Sequence, residues 1–200
     1  MIRWTYTDSA RRFFPDTIAG LSRRERLPRL AVAIGVCLAI SGGVAVAQKM
    51  DKGSAGHIKA ATAAVDANFI KANTPTSKDW PTVGLDYAET RFSKLNQINA
   101  GNVKNLGLKW TYSLESVRGV EATPLVVDGI MYVSASWSVV HAIDARTGKR
   151  IWTYDPGVNR EIGYKGCCDV VNRGVALYKG KVYFGAYDGR LVAIDAVTGK

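Results

Sequence analysis

The chain has 200 residues, 47% hydrophobic and 22% charged, with three cysteines. That composition excludes a low-complexity or disordered chain, and three cysteines exclude a disulfide-dense miniature scaffold. The net charge of +10 is uneven: residues 48–200 hold 20 Lys+Arg and 14 Asp+Glu with no run of four or more like charges, which describes a solvated basic surface and excludes a nucleic-acid footprint.

The chain begins with a basic leader. Arg3, Arg11, Arg12, Arg23, Arg24, Arg26 and Arg29 precede "LAVAIGVCLAISGGVAVA", residues 30–47, which carries no charge and ends in Ala45-Val46-Ala47. A basic stretch, an apolar run and a small-x-small end predict a secretory signal over residues 1–47, cleaved after Ala47, and a periplasmic protein. The competing reading is an uncleaved anchor, the only route by which this chain would touch a membrane; Gly42, Gly43 and the many alanines make the run weakly hydrophobic for a span. Arg23-Arg24 hints at a twin-arginine signal, against which Glu25 and Arg26 stand. Cleavage would discard Cys37 and leave Cys167 and Cys168 as the exported chain's two thiols, in an oxidising compartment.

Residues 48–78 form a lead-in rich in Ala and Lys, with a short helix expected over Ala60–Ala72 and a stop at the breaker cluster "NTPTS". From residue 102 strands and turns take over. "GIMYVSASWSVVHAIDARTGK" (129–149) and "GKVYFGAYDGRLVAIDAVTGK" (180–200) align without a gap at an offset of 51, with ten of 21 positions identical. That period is close to one propeller blade. In each unit Asp and Thr can bond the backbone of a "DAxTGK" turn, and Gly148 can supply a positive φ. Trp152 follows with the bulk to lie across a blade face, and "NLGLKWTYSL" (105–114) reads as an earlier copy of that last strand, with Trp110 in the Trp152 role. A propeller needs about four blades or more, and residues 102–200 supply two units, so the expectation is an N-terminal fragment of a longer all-β protein.

Three stretches carry a resemblance to a known family: "DWPTVGLDYAETRFSKLNQINAGNVKNLGLKW" (79–110), "VEATPLVVDGIMYV" (120–133) and "GCCDVVNRGVALYKGKVYFGAYDGRLVAIDAVTGK" (166–200). Over some 120 residues the chain resembles the quinoprotein alcohol dehydrogenases, periplasmic enzymes that use pyrroloquinoline quinone (PQQ) and calcium, and within them the soluble quinohaemoprotein branch. The resemblance implies an eight-bladed β-propeller, of which residues 79–200 are the first part. It implies oxidation of a primary alcohol to an aldehyde by hydride transfer to the quinone, with electrons leaving to a cytochrome. The cofactor-binding residues it implies are Glu121, Cys167, Cys168, Val171 and Arg173, with Cys167 and Cys168 joined as a disulfide ring against one quinone face. It places the catalytic aspartate, the calcium ligands and any haem c domain beyond Lys200, so that this chain alone is expected to be inactive.

The same residues can be read from their chemistry. PQQ is planar and tricarboxylated, and calls for flat contact on its faces and cationic forks at its rim. The guanidinium of Arg173 suits the rim. Adjacent cysteines make a poor metal site, because neighbours on a strand point to opposite faces and no further His or Cys completes a set. Inert thiols or mutual oxidation remain; a bridge between adjacent residues is strained, with Cα atoms about 3.8 Å apart, and closes almost no loop, so it would serve surface or rigidity over stability. Glu121 at a strand entrance is weak evidence without the resemblance. His57, expected in a mobile lead-in, and His141, in a blade strand, have no partner at metal spacing and read as structural. The rival function is a non-enzymatic periplasmic propeller resembling an outer-membrane assembly scaffold, which shares the blade turn but has no use for paired cysteines followed by Asn172-Arg173.

Overall fold

The computed structural model describes residues 50–200; the leader, its cleavage point and Cys37 lie outside the described residues. Among the described residues no helix is long and apolar enough to cross a membrane.

Where the lead-in reads as one helix over Ala60–Ala72, two form: α1 (Ala55–Ala63) and α2 (Ala67–Asn73). The break comes from Asp66, whose carboxylate accepts the Phe69 N–H at 2.9 Å and caps α2. Ser54 caps α1 in the same way through the His57 N–H. The lead-in is fastened to both sheets that follow. Val65 and Thr62 carbonyls accept from Lys179 and Gly180 N–H, Trp80 exchanges two backbone bonds with Val126, and Asp79 accepts the Asp128 N–H. His57 is therefore not part of a loose segment: it is buried, and its Nε2 lies 2.9 Å from Asp128, which also takes Lys52.

Two antiparallel meanders make the rest. The first is β1 (Leu125–Val127), β2 (Ile130–Ser134), β3 (Val140–Asp144) and β4 (Lys149–Tyr154); the second is β5 (Ala176–Tyr178), β6 (Lys181–Gly185) and β7 (Leu191–Asp195). Each shared strand recurs at the offset of 51, so the repeat seen in sequence is a repeat of sheets, two blades of a partial β-propeller. Register lines up Leu125, Tyr132, Ala142 and Trp152 across the first blade, and all four are buried. This row faces the second blade: Tyr132 Oη and Trp152 Nε1 both donate to the Ala196 carbonyl, at 2.9 and 3.1 Å.

The turn glycines explain why this contact repeats. Gly199 has φ +70°, and a Cβ there would stand 2.7 Å from the Trp152 ring; Gly148 has φ +72°, and its Cβ would stand 2.6 Å from Trp110. Each blade's "TG" turn is thus a seat for the preceding tryptophan, closed to any side chain. Trp110 donates to the Ala145 carbonyl at 3.1 Å as Trp152 does to Ala196. The stretch 105–114 takes that role without becoming a strand: no ladder partner pairs with it among the described residues.

His141, on β3, is fully buried. Its Nδ1 lies 3.0 Å from Tyr112 Oη and 3.1 Å from Thr153 Oγ1, while Nε2 has no partner among the described residues. Burial pushes its pKa below the ordinary value, with Glu115 opposing and Arg150 adding to the shift. The imidazolium carries an N–H on both ring nitrogens, and the one on Nε2 has no acceptor among the described residues. A His with a depressed folded pKa binds its proton more readily when unfolded, so stability falls as pH drops from the unfolded value of about 6.5 through the folded one. His141→Phe is expected to flatten the loss of stability between pH 7 and 5, by at most about 1.4 kcal/mol per pH unit. Denaturant melts across that range check this, and an unchanged pH slope would contradict it.

Candidate cofactor site

The connections entering β1 and β5 are equivalents in the repeat: the offset of 51 pairs Val120 with Val171, Glu121 with Asn172 and Ala122 with Arg173. In space they run side by side. Thr123 N–H donates to the Arg173 carbonyl at 3.4 Å, and Arg173 Nε donates to Glu121 Oε2 at 3.1 Å. The two side chains stay 74% and 46% exposed, where an ion pair contributes about 0–1 kcal/mol. Their pairing therefore says more about placement than about stability. The other guanidinium N–H groups have no side-chain or backbone acceptor among the described residues, and remain available to a carboxylate from outside.

Cys167 and Cys168 stand beside this pair as two exposed thiols. The Cys167 sulfur next to it pushes the Cys168 thiol above its ordinary pKa, with Glu121 adding to that and Arg173 opposing it. The disulfide that the resemblance implies is not formed in this structure; the short Cα spacing means that closing it requires the turn to distort.

The turn itself is held from the other connection. Asp169, at φ +69°, pairs with Arg118 and accepts the Gly119 N–H at 3.4 Å; the Arg118 guanidinium holds its carboxyl below the usual range. Ser136 Oγ donates to the Gly119 carbonyl at 2.9 Å. Val171 is half-buried with its Cγ1 3.6 Å from the Cβ position of Gly119. The strap 116–121, which delivers Glu121, is thus clamped onto the turn that delivers the cysteines.

The five residues singled out in sequence, Glu121, Cys167, Cys168, Val171 and Arg173, lie together on these two neighbouring connections. The sequence gives Asn172 a place in the motif but no site role, and does not single out Asp169 or Arg118. The signal available for them was their place inside or opposite "CCDVVNRG", but which partners they find depends on the turn's path. A separate apolar cavity of about 450 Å³, lined in part by Trp80, Leu95, Trp110, Val126 and Met131, includes none of the five. No group of three His, Cys, Asp or Glu suited to a metal occurs among the described residues.

The donor set fits a planar polycarboxylate: a cationic fork with free N–H groups, a carboxylate that orients it, and an exposed cysteine surface alongside. Residues 80–200 match the model of the PQQ glucose/ethanol/alcohol dehydrogenase β-propeller domain. The chain is 64% identical over 172 residues to a quinohemoprotein alcohol dehydrogenase of Comamonas testosteroni, covering 86% of this chain and 24% of that protein. It is 67% identical over 122 residues to a 1-butanol dehydrogenase (cytochrome c) of Thauera butanivorans, covering 61% and 18%. The crystal structure of the Comamonas testosteroni enzyme superposes with a TM-score of 0.72 at 72% identity, over 73% of this chain and 22% of that one. The chain spans between 18% and 24% of the length of these relatives. By its propeller repeat, its paired cysteines and these matches, the chain belongs to the PQQ glucose/ethanol/alcohol dehydrogenase β-propeller family.

Proposed function

We propose that the chain is the N-terminal part of an exported, periplasmic PQQ- and calcium-dependent dehydrogenase that oxidises primary alcohols to aldehydes and passes electrons to a cytochrome. The observation that carries this reading is the meeting of Glu121 and Arg173 beside Cys167 and Cys168, from positions 46 or more residues apart. The names of the relatives support alcohol as substrate and a cytochrome as partner. The second blade's row Ala176, Tyr183, Ala193, equivalent to the buried Leu125, Tyr132, Ala142, is left exposed or half-buried, which favours a further blade packing on it.

When bound, PQQ supplies the acceptor for the substrate's hydride. In this chain, Arg173 would hold one of its carboxylates, with Glu121 accepting from Nε to orient the guanidinium. Cys167 and Cys168 would supply a surface for one face, with Val171 on the same connection, packed toward Gly119. The base, the calcium ligands and any haem c belong to the rest of the protein. The test is alcohol-dependent dye reduction by the complete protein, expected only after PQQ and calcium are both supplied; reduction independent of either would contradict the reading.

The cysteine pair is proposed to close to a disulfide in the exported protein. Mass spectrometry after alkylation without reductant is expected to find both residues unmodified, and both modified after reduction. Two alkylated thiols in the unreduced sample would count against the ring.

A further inference from the structure

We propose that Asn172 is the positioning residue of the cofactor wall, fixing where Arg173 stands by tying the backbone beside it to both blades. This rests on the PQQ reading above. A carboxamide has two places to accept and two to donate, and here all four are filled. Oδ1 accepts from Ser134 Oγ at 2.7 Å and from the Gly174 N–H at 3.0 Å; Nδ2 donates to the Gly185 carbonyl at 2.9 Å and to Ser138 Oγ at 3.2 Å.

The partners decide what those bonds do. Ser134 is the last residue of β2 and Gly185 the last of β6, so one side chain joins corresponding ends of the two blades. Ser138 lies in the left-handed turn after β2, with φ +60°, and also accepts the Tyr187 N–H at 3.0 Å. Ser134 and Ser138 are both buried, so their bonds to Asn172 are shielded from water and costly to leave unmade. Arg173, by contrast, has an exposed side chain with one side-chain partner. Whether its guanidinium meets Glu121 therefore depends on the backbone it leaves from, which is held at Asn172 by these four bonds and at the Arg173 carbonyl by the Thr123 N–H. A carboxylate recognised through two parallel bonds tolerates about 0.5 Å of displacement. The same station in the first blade is Glu121: one blade uses it to meet the fork, the next to anchor it.

The experiment uses the complete protein, stripped of PQQ and titrated with PQQ in the presence of calcium. Asn172→Ala is expected to weaken PQQ binding about tenfold, while the melting temperature of the PQQ-free protein falls by only a few degrees. Added to Arg173→Ala, the same change is expected to cost less than about twofold, because the effect travels through the arginine. Ser134→Ala removes one of the four bonds and is expected to weaken binding about threefold; it carries the test if Asn172→Ala fails to fold. Unchanged PQQ affinity in the variant that folds, or a full tenfold loss in the Arg173→Ala background, overturns the positioning role. A wild-type protein that binds no PQQ overturns the cofactor reading beneath it, which is a distinct result.

Discussion

Arg173→Ala is expected to weaken PQQ binding by the complete protein about a hundredfold, while its PQQ-free stability stays within about 1 kcal/mol of wild type. The asymmetry follows from the geometry. Arg173 is 74% exposed and its Glu121 pair is weak in water, so its loss from the free protein removes little. In the bound state a carboxylate would lose a charge-assisted partner in a shielded place, which costs about 2–5 kcal/mol. Arg173→Lys keeps the charge but not the fork and is expected to lose about tenfold. Equilibrium titration with PQQ measures all three proteins. Equal affinity in wild type and Arg173→Ala would remove the residue from the site.

Trp152→Ala is expected to lower stability by about 3–5 kcal/mol in denaturant melts. The indole is 9% exposed and packs at 5.8 Å between centroids from Tyr132. It seats on Gly199, where no side chain can follow to fill the space, and its Nε1 bonds across to the next blade. Removing it opens a cavity between blades that cannot collapse onto a backbone already held by its own ladder. Trp152→Phe keeps part of the volume and loses the donor; the Ala196 carbonyl still accepts from Tyr132 Oη at 2.9 Å, so about 1–2 kcal/mol is expected. A loss below 1 kcal/mol for Trp152→Ala would show that the interblade seat is not the main contact.

The contrast between these two residues shows what was legible in the sequence. Trp152 could be assigned because it follows a blade turn with the bulk to lie across a blade face, and Trp110 stands in a similar stretch. The offset of 51 also relates β1 to β5, but these lie outside the aligned segments and are not assigned from the sequence. Arg173 and the cysteines were legible through the rare motif they share. The lead-in was less so. Alanine spacing suggests one helix, and only the capping bond of Asp66 makes two; His57 looked unattached because its partner, Asp128, is 71 residues away. Asn172 is the clearest omission. Asparagine in a loop is commonplace, and its four bonds depend on Ser134, Ser138 and Gly185 arriving from two blades.

The central claim is that the two connections entering β1 and β5 form one wall of a PQQ site. A crystal structure of the complete protein with PQQ and calcium tests it most directly. The account predicts the Arg173 guanidinium within hydrogen-bond distance of a quinone carboxylate and Cys167-Cys168 against one face of the ring system. Quinone density bounded by other residues, with Arg173 turned to solvent, would contradict it.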